Sequence, residues 1–238
     1  MRLNSNVVLE GADVVLVPYR AEHVALYHEW MSSAWLREMT ASEPLTLAQE
    51  QEMCTSWRDS DDRLTFIVLE RGKPDTAGTG QHGGAMVGDV NLFFHSWLRE
   101  EDDHAHAVAE VEVMIGEPSA RRRGLATEAL NLLMAYSAVE LATKAFVAKI
   151  GFANVASQLL FTQRLDFKEV SRDDGFEEVE LSLQVTAALE PEPEPEPEST
   201  TPKPSQGAVD TGSGSGKRSA VALCQLLATA SRRAYDPV

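Results

Sequence analysis

The stretch from Ala109 to Ala129, AEVEVMIGEPSARRRGLATEA, allows few conformations. Val111, Val113 and Ile115 alternate with Glu110, Glu112 and Met114, the period that marks a strand with one apolar face. Arg121-Arg122-Arg123-Gly124-Leu125-Ala126 follows, and then Leu125, Ala129, Leu132, Leu133 and Tyr136 recur at helical spacing as far as about Leu141. A strand that turns through such a loop into a helix presents unpaired amide N–H groups at the helix start, where the macrodipole favours an anion. Gly124 lacks a Cβ and lets backbone come close to a phosphate. Three arginines opening a helix oppose its dipole unless an anion sits among them. The pattern predicts a pyrophosphate cradle in which Arg122, Arg123, Gly124 and Ala126 supply amides, Thr127 a hydroxyl, and the guanidinium groups an outer charge.

The run Arg121 to Ala126 resembles the acetyl-coenzyme-A-binding motif of the GNAT N-acetyltransferases, Q/R-x-x-G-x-G/A. Further stretches are similar to the N-acetyltransferase 9-like branch of that family. They are Met1-Arg2-Leu3-Asn4, Val15-Leu16-Val17-Pro18-Tyr19, Tyr27-His28-Glu29-Trp30-Met31, Thr40 to Leu47, Val87-Gly88-Asp89-Val90-Asn91-Leu92-Phe93 and Glu110 to Ile115. The likeness runs from about Met1 to Val185 and implies a mixed α/β fold, the GNAT fold, with a central sheet of about seven strands flanked by helices. It also implies acetyl-coenzyme A as co-substrate, with no metal, and an acceptor amine on a protein N-terminus, the tubulin α and β termini being that branch's assigned targets. The coenzyme-binding set implied is Met114, Ile115, Gly116, Arg121, Arg122, Arg123, Gly124, Leu125, Ala126, Thr127, Asn154 and Ser157.

Glu110 and Glu112 share one side of their strand. GNAT enzymes often hold their general base there, because an attacking amine must lose a proton and a partly desolvated carboxylate with a raised pKa accepts one. Glu112, nearer the strand centre and next to Val113-Met114, is the favoured base, with Glu110 second; the plainer reading makes both ordinary strand residues with polar partners. Strand amides around Met114 to Gly116 would polarise the acetyl carbonyl. Asn154-Val155-Ala156-Ser157-Gln158-Leu159-Leu160-Phe161 resembles the family segment N-x-x-S-x-x-x-Y/F, and Leu165-Asp166-Phe167 replaces the commoner L/M-G-F. Asn154 and Ser157 would bond the pantetheine arm; helix capping explains them as well. Phe161 stands where many relatives use Tyr to protonate the leaving thiolate, so that general acid is missing.

The formal charge of −16 argues against nucleic acid as partner. From Glu190 onward there are seven acids and five bases, so nearly all of that charge belongs to the part before. Cys54 and Cys224 lie in unrelated contexts, which points away from disulfides and toward a reducing, cytoplasmic setting. MRLNSNVVLEGAD shows no apolar leader, and no run is long enough for a transmembrane helix, so no membrane partner is expected.

Strands are expected at Val14–Tyr19, Leu64–Glu70, Ala85–Phe94, Val108–Ile115, Lys144–Ile150, Phe167–Ser171 and Phe176–Val185, with helices at Ala21–Trp30, Leu47–Arg58 and Asn154–Leu165. Thr46 with Gln49 forms a capping-box signature, and Asp173-Asp174-Gly175 a hairpin turn. The domain is expected to span 1–188. Residues 189–238 read as a disordered tail: a Pro/Glu alternation, a Gly/Ser linker, and a weakly amphipathic Lys217–Tyr235 that could form a transient helix. Gly78 to Gly83 matches G-x-G-x-x-G but leads to no helix, and His104 with His106 is a poor metal pair. A small amine or polyamine acceptor, or a coenzyme-binding module without catalysis, remains as the rival reading.

Overall fold

Apolar side chains on alternate sides of the central strands bury into two different cores, one on each face of the sheet. The computed structural model describes residues 2–74, 84–98, 100, 101, 103–186, 216–219, 225 and 230–234. The chain opens with a short hairpin, Val7–Glu10 (β1) and Val14–Pro18 (β2), followed by helices Ala21–Met31 (α1), Ala34–Met39 (α2) and Leu47–Asp59 (α3). Strands Arg63–Arg71 (β3), Gly84–Phe93 (β4) and Val108–Ile115 (β5) come next, then the helix Leu125–Glu140 (α4) and the strand Ala145–Gly151 (β6). Val155–Leu159 (α5) widens into a π turn at Leu160–Arg164, and Lys168–Asp173 (β7) with Glu178–Thr186 (β8) forms a final hairpin. Gly216–Ser219 (β9) and Ser231–Ala234 (β10) complete the elements.

These strands make a 10-stranded mixed sheet in the order β10-β1-β2-β3-β4-β5-β6-β8-β7, with β9 beside β8. Neighbours are antiparallel except β5 with β6 and β8 with β9. Val14, Leu16, Phe66, Val90, Val111 and Phe146 face α4, where Leu125, Ala129, Leu132, Leu133 and Tyr136 are buried as their spacing predicts. Val15, Val17, Ile67, Leu69 and Met114 face the other way, against Val24, Trp30 and Met31 of α1, Leu36 of α2 and Cys54 of α3. Thr46 caps α3 as expected: its Oγ1 accepts from the Gln49 N–H at 3.3 Å while Gln49 Oε1 accepts from the Thr46 N–H at 2.8 Å.

The mixed α/β class and the order of elements match the sequence reading, with ends moved by a residue or two. Four elements were not expected: β1, α2, β9 and β10. Asn154–Leu165 does not continue as one regular helix but loosens to π geometry at Leu160. Lys217–Tyr235 was expected to be at most a transient helix, yet both of its described ends are strands. β9 runs beside Leu183–Thr186 of β8 and β10 beside Val7–Glu10 of β1, where a bare strand edge offers unpaired N–H and C=O groups. The Pro/Glu run, most of the Gly/Ser linker, Cys224 and the Gly78–Gly83 match lie outside the described residues.

β4 carries one irregularity that matters below. Val68 of β3 pairs with Gly88 while Leu69 pairs with Met86, leaving Val87 as an extra residue in a β-bulge. Val87 therefore packs with the α4 core, and Asp89, two residues on, lies on the opposite face with Ile67 and Met114 as its ladder partners. At Gly88 a Cβ would stand 2.0 Å from the Met114 carbonyl oxygen. Gly88→Ala is expected to destabilise the fold by about 1–3 kcal/mol through that overlap with backbone, read as a lowered midpoint in urea unfolding with an unchanged slope.

Candidate active site

β5 and β6 are parallel neighbours for only three rungs, Val108 to Glu110 against Ala145 to Val147. Beyond these rungs β5 continues to Ile115 and β6 to Gly151 without pairing to each other. Alternate backbone groups of Val111–Ile115 thus face a gap and not a neighbouring strand. The gap opens into a cavity of 1610 Å³. Met114 and Ile115 line it on one side, Asn154 and Ser157 on another, and Arg121, Arg122, Gly124, Leu125, Ala126 and Thr127 at the start of α4.

The loop from β5 to α4 is held by its own side chains. Arg121 Nε donates to the Ile115 carbonyl at 2.9 Å and its Nη2 to the Gly116 carbonyl at 3.0 Å, while its guanidinium lies 4.6 Å from the Trp35 ring centroid. Arg123 makes a two-point contact with Glu70 of β3, at 2.8 and 2.7 Å. That guanidinium, first by its hydrogen bonds, holds the Glu70 carboxyl below the usual carboxylate range. Arg122 makes no ion pair among the described residues, sits at φ 59 and lines the cavity. Gly124 follows at φ 88, with open space where a Cβ would lie, and α4 begins with no side-chain cap. A left-handed glycine, open space and uncapped N–H groups together fit a bound diphosphate.

Of the residues expected to face the coenzyme, Gly116 and Arg123 do not line the cavity. A Cβ at Gly116 would lie 2.2 Å from the Trp30 ring, so this glycine serves the packing of α1 on the sheet. Arg123 belongs to Glu70. Asn154 Oδ1 accepts from the Ser157 N–H at 3.1 Å and so caps α5, the plainer of its two expected roles, while both residues still line the cavity. Phe161 is a core residue, edge-on to Phe167 with centroids 5.0 Å apart. Asp166, standing where the family more often has Gly, adopts φ 63, a conformation in which Asp replaces Gly at modest cost.

Glu110 and Glu112 also stay out of the cavity lining and lie on the α1/α3 face of β5. Glu110 is flanked by His95 at 3.8 Å and Lys149 at 4.0 Å. Glu112 is exposed at its tip and sits opposite Asn91 in the ladder. Desolvation by the surrounding protein, then the charges of Glu110 and Asp89, push its carboxyl up to about 7. Such a group is half ionised near neutral pH and suits proton transfer.

A gap between parallel strands thus lies beside a helix start with a left-handed glycine and uncapped N–H groups. The match to the family model described as acetyltransferase (GNAT) domain covers residues 13–168. The chain belongs to the GNAT acetyltransferase family. It is an N-acetyltransferase. It is 49% identical over 186 residues to α/β-tubulin-N-acetyltransferase 9 of Mus musculus, covering 78% of this chain and 74% of that protein. To the Homo sapiens protein of the same name it is 46% identical over 187 residues, covering 78% of this chain and 87% of that one. Among solved structures, spermidine N-acetyltransferase from Vibrio cholerae in complex with CoA and spermine superposes with a TM-score of 0.56. At 16% identity, covering 72% of this chain and 94% of that one, it shares the fold.

Several residues of the site carry no sequence signal. Glu70 lies in a strand read only as apolar alternation, yet it fixes Arg123. Glu128 of α4 receives the N–H groups of Ala12 and Asp13 and so ties the β1–β2 turn to the helix that opens the cradle. Trp35 and Arg71 line the cavity from elements far apart in sequence. Because Glu70 is depressed in the fold, its pairing stabilises the protein above the ordinary carboxylate pKa and that stability is lost as pH falls through the lowered value. Glu70→Gln is expected to show a smaller drop in melting temperature than the parent between pH 5 and pH 3, measured by circular dichroism.

Proposed function

We propose that this N-acetyltransferase acts on the α-amine of a protein N-terminus in the cytoplasm, with acetyl-coenzyme A as donor and tubulin-type termini as acceptors. The observation that carries the acceptor is the 49% identity to a relative named for α/β-tubulin. The spermine-bound neighbour shares the fold alone and gives a polyamine acceptor no added weight. No helix among the described residues is long and apolar enough to cross a membrane. Residues 1–188 are taken as the catalytic unit and 189–238 as an appendage, in keeping with the spans of the family match and of the relatives.

Acetyl-coenzyme A, when bound, supplies an acetyl thioester. The chain's part is to hold the diphosphate at the α4 start with the amides opening that helix, Arg122 and the Thr127 hydroxyl. Arg121 and Arg123 keep the loop in shape. Asn154 and Ser157 border the arm's path, and backbone N–H groups at Met114 to Gly116 face the carbonyl. Glu112 takes the proton that the acceptor ammonium must lose before nitrogen can attack, with Glu110 as the reserve carboxylate. Phe161 has no proton to give, so the sulfur leaves as thiolate, a step that its ordinary acidity makes tolerable.

Replacing Gly124 with Val is expected to strain the left-handed position and fill the open space. Affinity for the coenzyme should fall at least tenfold, about 1.4 kcal/mol, in titration calorimetry on a folded variant. Glu112→Gln is expected to lower turnover on an N-terminal peptide by about 10²–10⁴ and flatten the acidic limb of the pH–rate profile, while coenzyme affinity holds. Unchanged rates in Glu112→Gln, in Glu110→Gln and in the double variant, with the acidic limb intact, would remove the carboxylates from the mechanism. A peptide library read by mass spectrometry tests the acceptor: transfer only to small amines would overturn the N-terminal assignment.

A further inference from the structure

The bulge at Val87 turns Asp89 and Asn91 onto the same face as Glu112 and Met114. Asp89 is 2% exposed and Asn91 5% exposed, so neither side chain meets bulk water. Their one mutual bond, Asn91 Nδ2 to Asp89 Oδ2 at 2.6 Å, uses one oxygen of the carboxyl and the amide nitrogen. Asp89 Oδ1 and Asn91 Oδ1 are both buried with no hydrogen-bond partner. Directly across the ladder from Asn91 stands Glu112, and across from Asp89 stands Met114, which also lines the coenzyme cavity. Side chains opposite one another on one face of such a ladder lie about 5 Å apart at Cβ. The group therefore holds two buried acceptors, Asp89 Oδ1 and Asn91 Oδ1, with no donor bonded to either; it is closed on the Asp89 side, open to solvent at Glu112 and adjacent to the strand that borders the acetyl site.

A buried unpaired acceptor is costly, and a buried lone carboxylate more so. Two such oxygens, one of a carboxylate and one of an amide, beside the Glu112 carboxylate call for a ligand with several N–H groups and a positive charge. A primary ammonium has three donors and no acceptor, which matches Asp89 Oδ1, Asn91 Oδ1 and the Glu112 carboxylate. We propose that Asp89 and Asn91, with Glu112 at the mouth, form the subsite that binds the acceptor's primary ammonium before proton removal. This deepens the acceptor reading above and rests on it for the side of the sheet from which the amine arrives. Asp89 and Asn91 hold the nitrogen. Glu112, the exposed member, takes the proton and passes it to water.

The charges around Asp89 support that assignment. Burial pushes its carboxyl up to about 7, and the Asn91 bond only partly offsets this. Asp89 in turn adds to the burial that raises Glu112 and the hydroxyls of Tyr19, just after β2, and Tyr27 on α1. Farther out are Glu50 of α3, paired with His28 of α1 at 3.2 Å, and Glu110 and Arg63, both on the Phe93 rung next to Glu112. An arriving ammonium relieves this excess of negative charge, so it should bind with Asp89 ionised. Without it, a raised Asp89 costs stability as pH climbs from the ordinary carboxylate range toward 7, because the folded state binds the extra proton.

The test is a carboxyl-carbon NMR titration of the full chain with coenzyme A bound, the Asp89 resonance being assigned by its loss in Asp89→Asn. A short peptide with a free α-amine is expected to lower the Asp89 pKa by at least one unit, and its Nα-acetylated counterpart to leave it in place. Asp89→Asn can keep the bond from Asn91 through its amide oxygen while it removes the charge and turns the other acceptor into an NH2 donor. It is expected to raise KM for the peptide at least tenfold with coenzyme affinity unchanged, and at pH 8 to melt no lower than the parent. An Asp89 titration indifferent to both peptides and to spermine, or a variant with the parent's KM, overturns the subsite. Should spermine shift Asp89 while peptides neither shift it nor accept acetyl, the subsite stands and the N-terminal acceptor falls.

Discussion

The large cavity of this molecule lies where two parallel strands part after three rungs. A parallel pair has slanted bonds and gains slightly less per residue than an antiparallel one, and here β6 draws its support from β8 along its whole length. β5 is held by β4 from Glu110 to Ile115, the stretch that faces the gap. Each strand of the parting pair is anchored on its outer side, so the unpaired inner edges stay in place without each other. The open edges of β5 and β6 are thus a rigid feature, a slot with hydrogen-bonding walls built into the middle of a sheet.

Charge in the loop that closes the slot is divided by task. Two of the three arginines are spent on protein: Arg121 on the carbonyls that end β5 and on Trp35, Arg123 on Glu70. An arginine forked onto a nearly buried carboxylate is well suited to fix a loop, since its planar donors set orientation as well as distance. Only Arg122 is left to extend toward a ligand. The backbone amides of the turn are then held in place by the other two guanidinium groups. A loop that looks from its composition like a cationic patch is better described as a braced turn.

Legibility in the sequence followed the range of the interactions. Local signals served well: the alternation from Val111 to Ile115, the capping box at Thr46, the helix face of Leu125 to Tyr136 and the hairpin at Asp173 all rest on neighbours within a turn or a strand. Pairings between distant segments were invisible. Nothing in the residues around Glu70 announces Arg123, and nothing around Glu128 announces the turn at Ala12. β1 was missed because four residues are too few for a period, and β10, its partner, lies at the far end of the chain. Asp89 escaped notice for another reason. Strict alternation from Met86 places it with Val87, among apolar neighbours, and only the bulge reverses its face.

That bulge also sets how the strand tolerates changes of length. With Val87 taken out, Met86 and Gly88 would follow each other against Leu69 and Val68 as a regular ladder, and every residue after Gly88 would keep its face. The strand before Gly88 thus holds one residue of slack. After Gly88 there is none: Asp89 and Asn91 share a face only because a single residue, Val90, separates them. Removing Val90 or adding a neighbour to it would send one of the pair into the α4 core. Along ten residues of one strand, an insertion or deletion changes from a matter of local fit to the loss of a buried polar pair, and the boundary is Gly88.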